Sequence, residues 1–140
     1  MTVRNAKAVW QGDLKTGNGR MTFGGRFDQP FSFGTRFENG EGSNPEELIG
    51  AALAGCFSMA LSAGLGAAGF AAKRIESQAD VHLEKSGDGF RISRIQLRTA
   101  AEIPGIENGK FQEIAEATKK GCPVSQALSA TPIQLEARLI

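Results

Sequence analysis

The sequence predicts a single α+β domain over residues 1–140. Three observations support this class: short strand patterns separated by glycines before residue 40, an uncharged run over residues 48–72, and two long alternating segments after that run. The resulting order, βββ-α-ββ-αα-β, is typical of an α+β fold. Hydrophobic residues make up 41% of the chain and charged residues 22%, a balance that indicates a globular protein.

The first third of the chain is predicted to form strands. Apolar and polar residues alternate over residues 6–11, and Met21 with Phe23 and Phe31 with Phe33 form further short runs. The glycines between these runs favour hairpin turns.

A long helix is predicted to begin at Asn44. Asn44 suits the N-cap, Pro45 suits the first helical position, and Glu47 completes a capping-box spacing. The helix is expected to run to about Gly66, with Gly69 as its terminator. The uncharged run is long enough to span a membrane, but its alanine-rich composition and frequent glycines favour a buried helix of a soluble core.

The second half is predicted to contain two strands, two helices and a last strand. The strands cover residues 73–85 and 89–103, with a bulge or twist expected near Ser93-Arg94 because the apolar alternation changes phase there. A helix is expected from Phe111 to Lys120, a short one from Pro123 to about Ser129, and a strand over 132–140.

Composition excludes several function classes. The net charge is +1 and the basic residues are dispersed, which disfavours nucleic acid and anionic membranes as partners. The first seven residues lack an apolar signal region, so a cytoplasmic, reducing location is expected for the two cysteines. These cysteines form no C-x-x-C unit and are too few for a zinc site.

The two cysteines lie in different settings. Cys56 lies among apolar residues of the predicted helix, where burial alone raises the pKa of a thiol. Cys122 directly precedes Pro123, in an N-cap-like position where backbone N–H groups favour a thiolate. The local sequence therefore predicts that Cys122 is the more acidic thiol. The alternative is that both are inert core cysteines.

Arg36 and Glu46 are the charged candidates. Arg36 follows the apolar pattern of residues 31–33, and a guanidinium beside a thiolate would stabilise it, although a solvated surface arginine is the alternative. Glu46 precedes Cys56 by ten residues, a rise of ~15 Å on one helix. It is therefore either a helix-start anion or a group acting on a second chain. The one histidine, His82, is predicted to be an exposed strand residue.

Several motifs resemble those of the OsmC/Ohr family, the osmotically inducible and organic hydroperoxide resistance proteins. The three most specific are Asn44-Pro45-Glu46-Glu47-Leu48, Ala54-Gly55-Cys56-Phe57-Ser58-Met59-Ala60-Leu61 and Gly121-Cys122-Pro123-Val124-Ser125. Thr35-Arg36-Phe37-Glu38 and Trp10 with Gly12-Asp13 are similar to the OsmC branch. This resemblance covers nearly the whole chain and implies an OsmC-like fold, with antiparallel sheets around a long buried central helix, in an intertwined homodimer.

The resemblance also implies an activity. It indicates a thiol-dependent peroxidase that reduces organic hydroperoxides, and hydrogen peroxide less readily, at two sites on the subunit interface. Cys56 would be the peroxidatic thiol and Cys122 the resolving thiol, with Arg36 and Glu46 as the activating pair. An external dithiol, of a lipoyl type, would restore the thiols, and no metal or organic cofactor would be required. This assignment gives the first chemical step to Cys56, although the local sequence favours Cys122 as the more acidic thiol.

Two other functions fit the residues. One is a non-enzymatic stress protein or carrier of a small apolar ligand. The other is a general thiol–disulfide oxidoreductase acting on proteins, which the absence of C-x-x-C disfavours.

Overall fold

A computed structural model describes residues 1–140 and confirms the α+β class. The chain forms two compact units, residues 1–48 and residues 49–140. The element order is βββ-αα-ββ-αα-β, which contains one helix more than the sequence predicts. A single domain over the whole chain stays a prediction.

The first unit contains a three-stranded antiparallel sheet. Its strands are β1 (Ala6–Gln11), β2 (Asn18–Phe23) and β3 (Phe27–Phe31), paired in chain order. The turn from β2 to β3 contains Gly24 and Gly25 at φ 62° and 67°, values that side-chain-bearing residues rarely adopt. All six residues of β1 are exposed in the single chain. Local hairpins therefore build this sheet without a core of its own.

The expectation of a strand through Phe33 is wrong, because helix α1 (Phe33–Phe37) begins there. Ser32 caps this helix: its hydroxyl accepts from the Thr35 N–H at 3.3 Å, and the Thr35 hydroxyl accepts from the Ser32 N–H at 2.9 Å. This reciprocal capping box favours a helical turn over continuation of the strand. Arg36 accordingly lies in the last turn of a helix and does not follow a strand.

Helix α2 (Pro45–Ala67) is continuous and begins as predicted. The side-chain oxygen of Asn44 accepts from the Glu47 N–H at 2.8 Å. At the other end Gly69 adopts φ 88°, and the Phe70 N–H donates to the Leu65 carbonyl at 2.9 Å. This arrangement satisfies a free carbonyl of the last turn, so Gly69 terminates α2 as predicted.

The single chain buries one stripe of α2. Leu53, Phe57, Leu61 and Leu65 recur at every fourth position and are fully buried. The opposite face is exposed and consists of small or flexible uncharged residues: Ala51, Ala52, Gly55, Met59, Ser62, Ala63, Gly66 and Ala67. By length and composition α2 could cross a membrane, with a mean hydropathy of 1.8 over 18 residues, of which 28% are buried. The core helix of a soluble protein meets the same criterion, and the packed stripe makes α2 the core helix of the second unit.

The second unit contains a sheet of β4 (Arg74–Ser86), β5 (Gly89–Glu102) and β6 (Ile133–Leu139), in that order. β4 and β5 form a long antiparallel hairpin. His82 pairs with Arg94, whereas Leu83 pairs with Ile92, so Ser93 is left out of the register. The bulge predicted at this point is therefore confirmed.

β6 pairs with β5 in a parallel direction, so the second sheet is mixed and not wholly antiparallel as the resemblance implied. Helices α3 (Asn108–Gly121) and α4 (Pro123–Ala127) lie between the two strands in the chain. A parallel pair requires such a crossover, because the chain must return to the starting end of the first strand. α3 begins ahead of the predicted Phe111, and α4 ends before the predicted Ser129.

The second unit has one contiguous apolar core. The α2 stripe packs with buried residues of β5 and α3 and of the loop between them: Ile95, Leu97, Ala101, Ile103, Ile106, Phe111 and Ala115. Cys122 belongs to the same cluster, and Cys56 packs against it. The thiols thus lie at the edge of a close-packed interior.

A chain of hydroxyl groups from Ser58, Ser77 and Thr99 connects α2 to the sheet of the second unit. The Ser58 hydroxyl lies 2.8 Å from the Ala54 carbonyl and 2.8 Å from the Ser77 hydroxyl. The Ser77 hydroxyl lies 2.9 Å from that of Thr99, which in turn lies 3.2 Å from the Glu76 carbonyl. A hydroxyl can both donate and accept, so the three side chains can satisfy one another in a part-buried network. These hydroxyl contacts fix the rotation of α2 about its axis. They therefore also fix the direction in which the Cys56 side chain points from the helix.

We expect Phe57→Ala to lower the free energy of unfolding by about 3–5 kcal/mol, because it removes a fully buried ring and leaves a cavity. Urea denaturation followed by circular dichroism measures this loss. Phe90→Ala is the matched control, since Phe90 is 53% exposed, and a smaller loss is expected. Equal losses for the two variants would contradict the assignment of Phe57 to the core.

Candidate active site

The structure brings the two cysteines together. Cys56, on α2, and Cys122, between α3 and α4, are 66 positions apart in sequence, and their sulfurs are 2.9 Å apart. Both thiols are free. A disulfide bond has a sulfur separation of about 2.05 Å, so a shift of roughly 1 Å would join them. The geometry is suited to reversible disulfide formation.

The position of Cys122 follows from the residue after it. α3 ends at Gly121, and Cys122 has φ −58° and ψ 127°, an extended conformation. Proline disfavours helical backbone in the residue before it, so Pro123 enforces this break and then begins α4. Cys122 is therefore the N-cap residue of α4, as predicted. Its side chain is 1% exposed, whereas Cys56 is half-buried.

The surroundings of the two sulfurs differ in their effect on charge. Burial raises the pKa of Cys56, and its hydrogen bond to Cys122 raises it further. Burial also raises the pKa of Cys122, but the Cys56 thiol, the N–H groups of Ser125 and Val124 and the Ser125 hydroxyl outweigh it, so that pKa is lowered. Either sulfur can donate in the neutral pair. After one proton is lost the charge is favoured on Cys122, with Cys56 as donor.

This result agrees with the local sequence argument about acidity. The Cys122 side chain accepts no cap hydrogen bond of regular geometry, but the Ser125 and Val124 N–H groups at the start of α4 still lower the pKa of its thiol. Ser125 was not predicted as a site residue. Its signal in the sequence is its place three residues after the N-cap Cys122, the position that a capping box uses.

The structure also brings Arg36 and Glu46 together, within the first unit. The Arg36 Nε donates to Glu46 Oε1 and Oε2 at 3.1 and 3.2 Å, and Arg36 Nη2 donates to Oε1 at 2.7 Å. Glu46 is buried in the first turn of α2, whereas the Arg36 side chain is 38% exposed. Asn44 supports the pair by donating its amide to the Thr35 carbonyl at 3.2 Å. A buried carboxylate thus orients a guanidinium that keeps N–H groups available.

A mostly apolar groove of about 280 Å³ lies beside Arg36 in the first unit. Its lining is largely aromatic and aliphatic: Trp10, Leu14, Phe31, Phe33 and Phe37. Trp10 and Phe31 are in ring contact, with centroids 5.2 Å apart, and Phe33 and Phe37 are 4.9 Å apart. The groove combines apolar walls with one cationic group, which suits a small amphipathic ligand.

The remaining candidate, His82, is half-buried on β4, where an exposed position was predicted. It pairs across the hairpin with Arg94, next to the bulge at Ser93. No group of three or more histidine, cysteine, aspartate or glutamate side chains forms a site for a metal ion.

Known proteins are similar to this chain in sequence and in fold. The family model described as OsmC-like protein matches residues 38–137. The peroxiredoxin OsmC of Escherichia coli strain K12 is 49% identical over 133 residues, which is 93% of each chain.

Two solved structures show the same fold. An OsmC-like protein from Mycoplasma pneumoniae superposes with a TM-score of 0.77 at 16% identity, over 99% of this chain and 98% of that one. The organic hydroperoxide resistance protein OhrB of Bacillus subtilis gives a TM-score of 0.70 at 25% identity, over 97% and 98%. The match to the family model over residues 38–137 and the 49% identical relative show that the chain belongs to the OsmC family.

Proposed function

We propose that this protein is a cysteine-based peroxidase that reduces organic hydroperoxides, and hydrogen peroxide less well. The observation that carries the proposal is the 2.9 Å separation of the Cys56 and Cys122 sulfurs. A relative that is 49% identical is named a peroxiredoxin, which supports the same conclusion.

The first step is the reaction of Cys56 with the peroxide. The Cys56 thiolate attacks one peroxide oxygen and the O–O bond breaks. The other oxygen leaves with the electron pair and takes a proton to become the alcohol. Cys56 becomes a sulfenic acid. Its half-buried position, against the buried Cys122, supports the assignment of this step to Cys56.

The second step closes the disulfide. The Cys122 sulfur attacks the Cys56 sulfenic acid, hydroxide leaves and is protonated to water, and a Cys56–Cys122 disulfide forms. An external dithiol then reduces the disulfide by exchange and is itself oxidised to a disulfide. We propose a lipoyl-type dithiol as this reductant. No metal or organic cofactor takes part in these steps.

Arg36 and Glu46 supply the charge that the first step needs. Burial raises the pKa of Cys56, so a thiolate there requires a cation, and a guanidinium can also stabilise the charge that develops on the peroxide oxygen. Glu46 orients the guanidinium through the hydrogen bonds described above. The apolar groove beside Arg36 would hold the organic group of the hydroperoxide.

We propose that the active form is an intertwined homodimer with sites at the subunit interface, in the cytoplasm. Two features support a second chain. The outer face of α2 carries small uncharged residues and is exposed in the single chain, and the sheet of the first unit has no core of its own. In such a dimer Glu46 could act on the cysteines of the partner, which the ten-residue spacing to Cys56 on one helix prevents within a chain.

A carrier of a small apolar ligand is the alternative function, and the groove beside Arg36 is the feature that favours it. Consumption of cumene hydroperoxide in the presence of a dithiol distinguishes the two functions. A peroxidase turns over many equivalents of hydroperoxide per chain. A carrier binds the hydroperoxide without consuming it.

Cys56→Ser is expected to reduce cumene hydroperoxide consumption to the uncatalysed background, since the hydroxyl is a far weaker nucleophile than a thiolate. Peroxide loss is measured in the presence of excess dithiol, and circular dichroism checks the fold. Retained turnover in the folded variant would remove Cys56 from the first step.

Cys122→Ser is expected to leave about one turnover per chain when no reductant is added and to prevent formation of the intramolecular disulfide. Intact-mass spectrometry after one equivalent of peroxide should show a sulfenic acid on the variant and a loss of two hydrogens on the wild type. An oxidised wild type that lacks the Cys56–Cys122 cross-link would exclude the resolving role.

Arg36→Ala, made in the Cys122→Ser background, is expected to slow alkylation of Cys56 at neutral pH by roughly tenfold, because loss of the cation disfavours the thiolate. The loss of the cation raises the pKa of Cys56, so the alkylation profile should move to higher pH. Arg36→Lys should restore part of the rate.

Arg20→Ala is the matched control for Arg36→Ala, since Arg20 forms an exposed ion pair with Asp28 at 2.7 Å in the same unit. Its alkylation profile is expected to match that of the background protein. Identical profiles for the Arg36 and Arg20 variants would rule out the pairing of Arg36 with Cys56.

A further inference from the structure

We propose that Ser125 is a positioning residue whose hydroxyl holds Cys122 as a thiolate and thereby makes Cys122 the leaving group when the disulfide is reduced. The leaving-group part rests on the peroxidase cycle proposed above. The thiolate part requires no peroxide and can be tested independently of that cycle.

The starting observation is an unpaired hydroxyl. Ser125 is 6% exposed, and its oxygen is the one buried side-chain polar atom without a hydrogen-bond partner in the chain. The other buried hydroxyl groups each have a backbone carbonyl as acceptor: those of Thr35, Ser43, Thr99 and Thr118. A buried polar group without a partner costs stability, so such a group calls for a functional reason.

The register of α4 gives the hydroxyl a partner. Cys122 is the N-cap residue, Pro123 and Val124 follow, and Ser125 occupies the third helical position. In a capping box the side chain at this position folds back toward the N-cap residue. Here the N-cap residue carries a sulfur where serine or threonine would carry an oxygen. The Ser125 hydroxyl is one of the groups that lower the pKa of Cys122, so it lies near the Cys122 sulfur.

The charge on the sulfur decides whether the bond forms. A neutral thiol is a weak acceptor, which accounts for the unpaired hydroxyl when both cysteines carry protons. A thiolate is a strong acceptor, because hydrogen bonds to charged groups are shorter and stronger. Burial raises the pKa of Cys122, and the Ser125 hydroxyl and N–H are among the groups that lower it overall. The hydroxyl thus gains its partner when Cys122 becomes an anion.

This arrangement gives the reduction of the disulfide a direction. A thiolate of the external dithiol attacks the Cys56 sulfur, which is the more accessible of the two. The sulfur–sulfur bond breaks and its electron pair goes to Cys122, which leaves as the thiolate. The second thiol of the dithiol then attacks the mixed disulfide and releases Cys56, so that two electrons pass to the protein. A leaving thiol with a lower pKa leaves faster.

The first test is a titration of Cys122 alone, in the Cys56→Ser background. Thiolate absorbance in the ultraviolet and alkylation by iodoacetamide are followed against pH for Ser125→Ala and Ser125→Thr. Ser129→Ala is the matched control, since Ser129 is an exposed serine just after α4. The Ala variant should titrate at higher pH and react roughly three- to tenfold more slowly at neutral pH. The Thr variant and the Ser129 control should match the background protein.

The melting temperature separates a positioning role from a packing role. Ser125→Ala should melt at the same or a higher temperature when the thiols are neutral, because it removes an unpaired buried hydroxyl. A Thr variant that folds but titrates like the Ala variant would assign the effect to packing and overturn the proposal. If the Thr variant does not fold, the test is the comparison of Ser125→Ala with Ser129→Ala. Titration of the Cys122 thiol over the same pH range in these two variants would overturn the proposal.

The second test is the rate at which dithiothreitol reduces the Cys56–Cys122 disulfide in proteins that retain both cysteines. Ser125→Ala should be reduced several-fold more slowly than Ser129→Ala. Equal rates would overturn the leaving-group role, whatever the titration shows.

Discussion

Contact between two sulfurs from distant parts of the chain is the constraint on which the second unit depends. It requires α2 to present Cys56 toward the end of α3, and α3 to stop where Cys122 can turn inward. The buried leucine and phenylalanine stripe sets the depth of α2, the hydroxyl chain from Ser58 sets its rotation, and Pro123 ends the helical run. Core packing, the hydroxyl network and the backbone restriction imposed by Pro123 thus together set the distance between the Cys56 and Cys122 sulfurs.

The electrostatics of the pair divides the work between the two thiols. Cys122 is buried, and the N–H groups of Ser125 and Val124 help to lower the pKa of its thiol. Cys56 is more accessible, and burial raises the pKa of its thiol by more than the Val124 N–H lowers it. An accessible sulfur suits the reaction with a peroxide, and a buried, stabilised anion suits a resolving and leaving group. The same division makes Cys56 dependent on a cation. We propose the guanidinium of Arg36, which Glu46 orients, for that role.

Sequence predicted those features that are set by neighbouring residues. Asn44 and Pro45 specify the start of α2, and a change of phase in the apolar alternation revealed the bulge at Ser93. Phe33 was misplaced because its apolar side chain continued a strand pattern, whereas the Ser32 capping box decided the backbone. The parallel pairing of β6 depends on the path of a crossover, which residue periodicity does not encode. The prediction that Cys122 is the more acidic thiol agrees with the structure. The contact of Cys56 with Cys122 joins residues that are too far apart in sequence for residue spacing to reveal it.

The same contact links redox chemistry to chain entropy. A bond between residues 66 positions apart would close a loop that holds nearly half of the sequence. Closing a loop of that length restricts the denatured ensemble by about 4 kcal/mol in the chain-entropy description of cross-links. Resistance to heat and to proteases would then rise and fall with every catalytic cycle. Oxidant stress would place the protein in its more stable, disulfide-linked form, and reductant would return it to the less stable dithiol form.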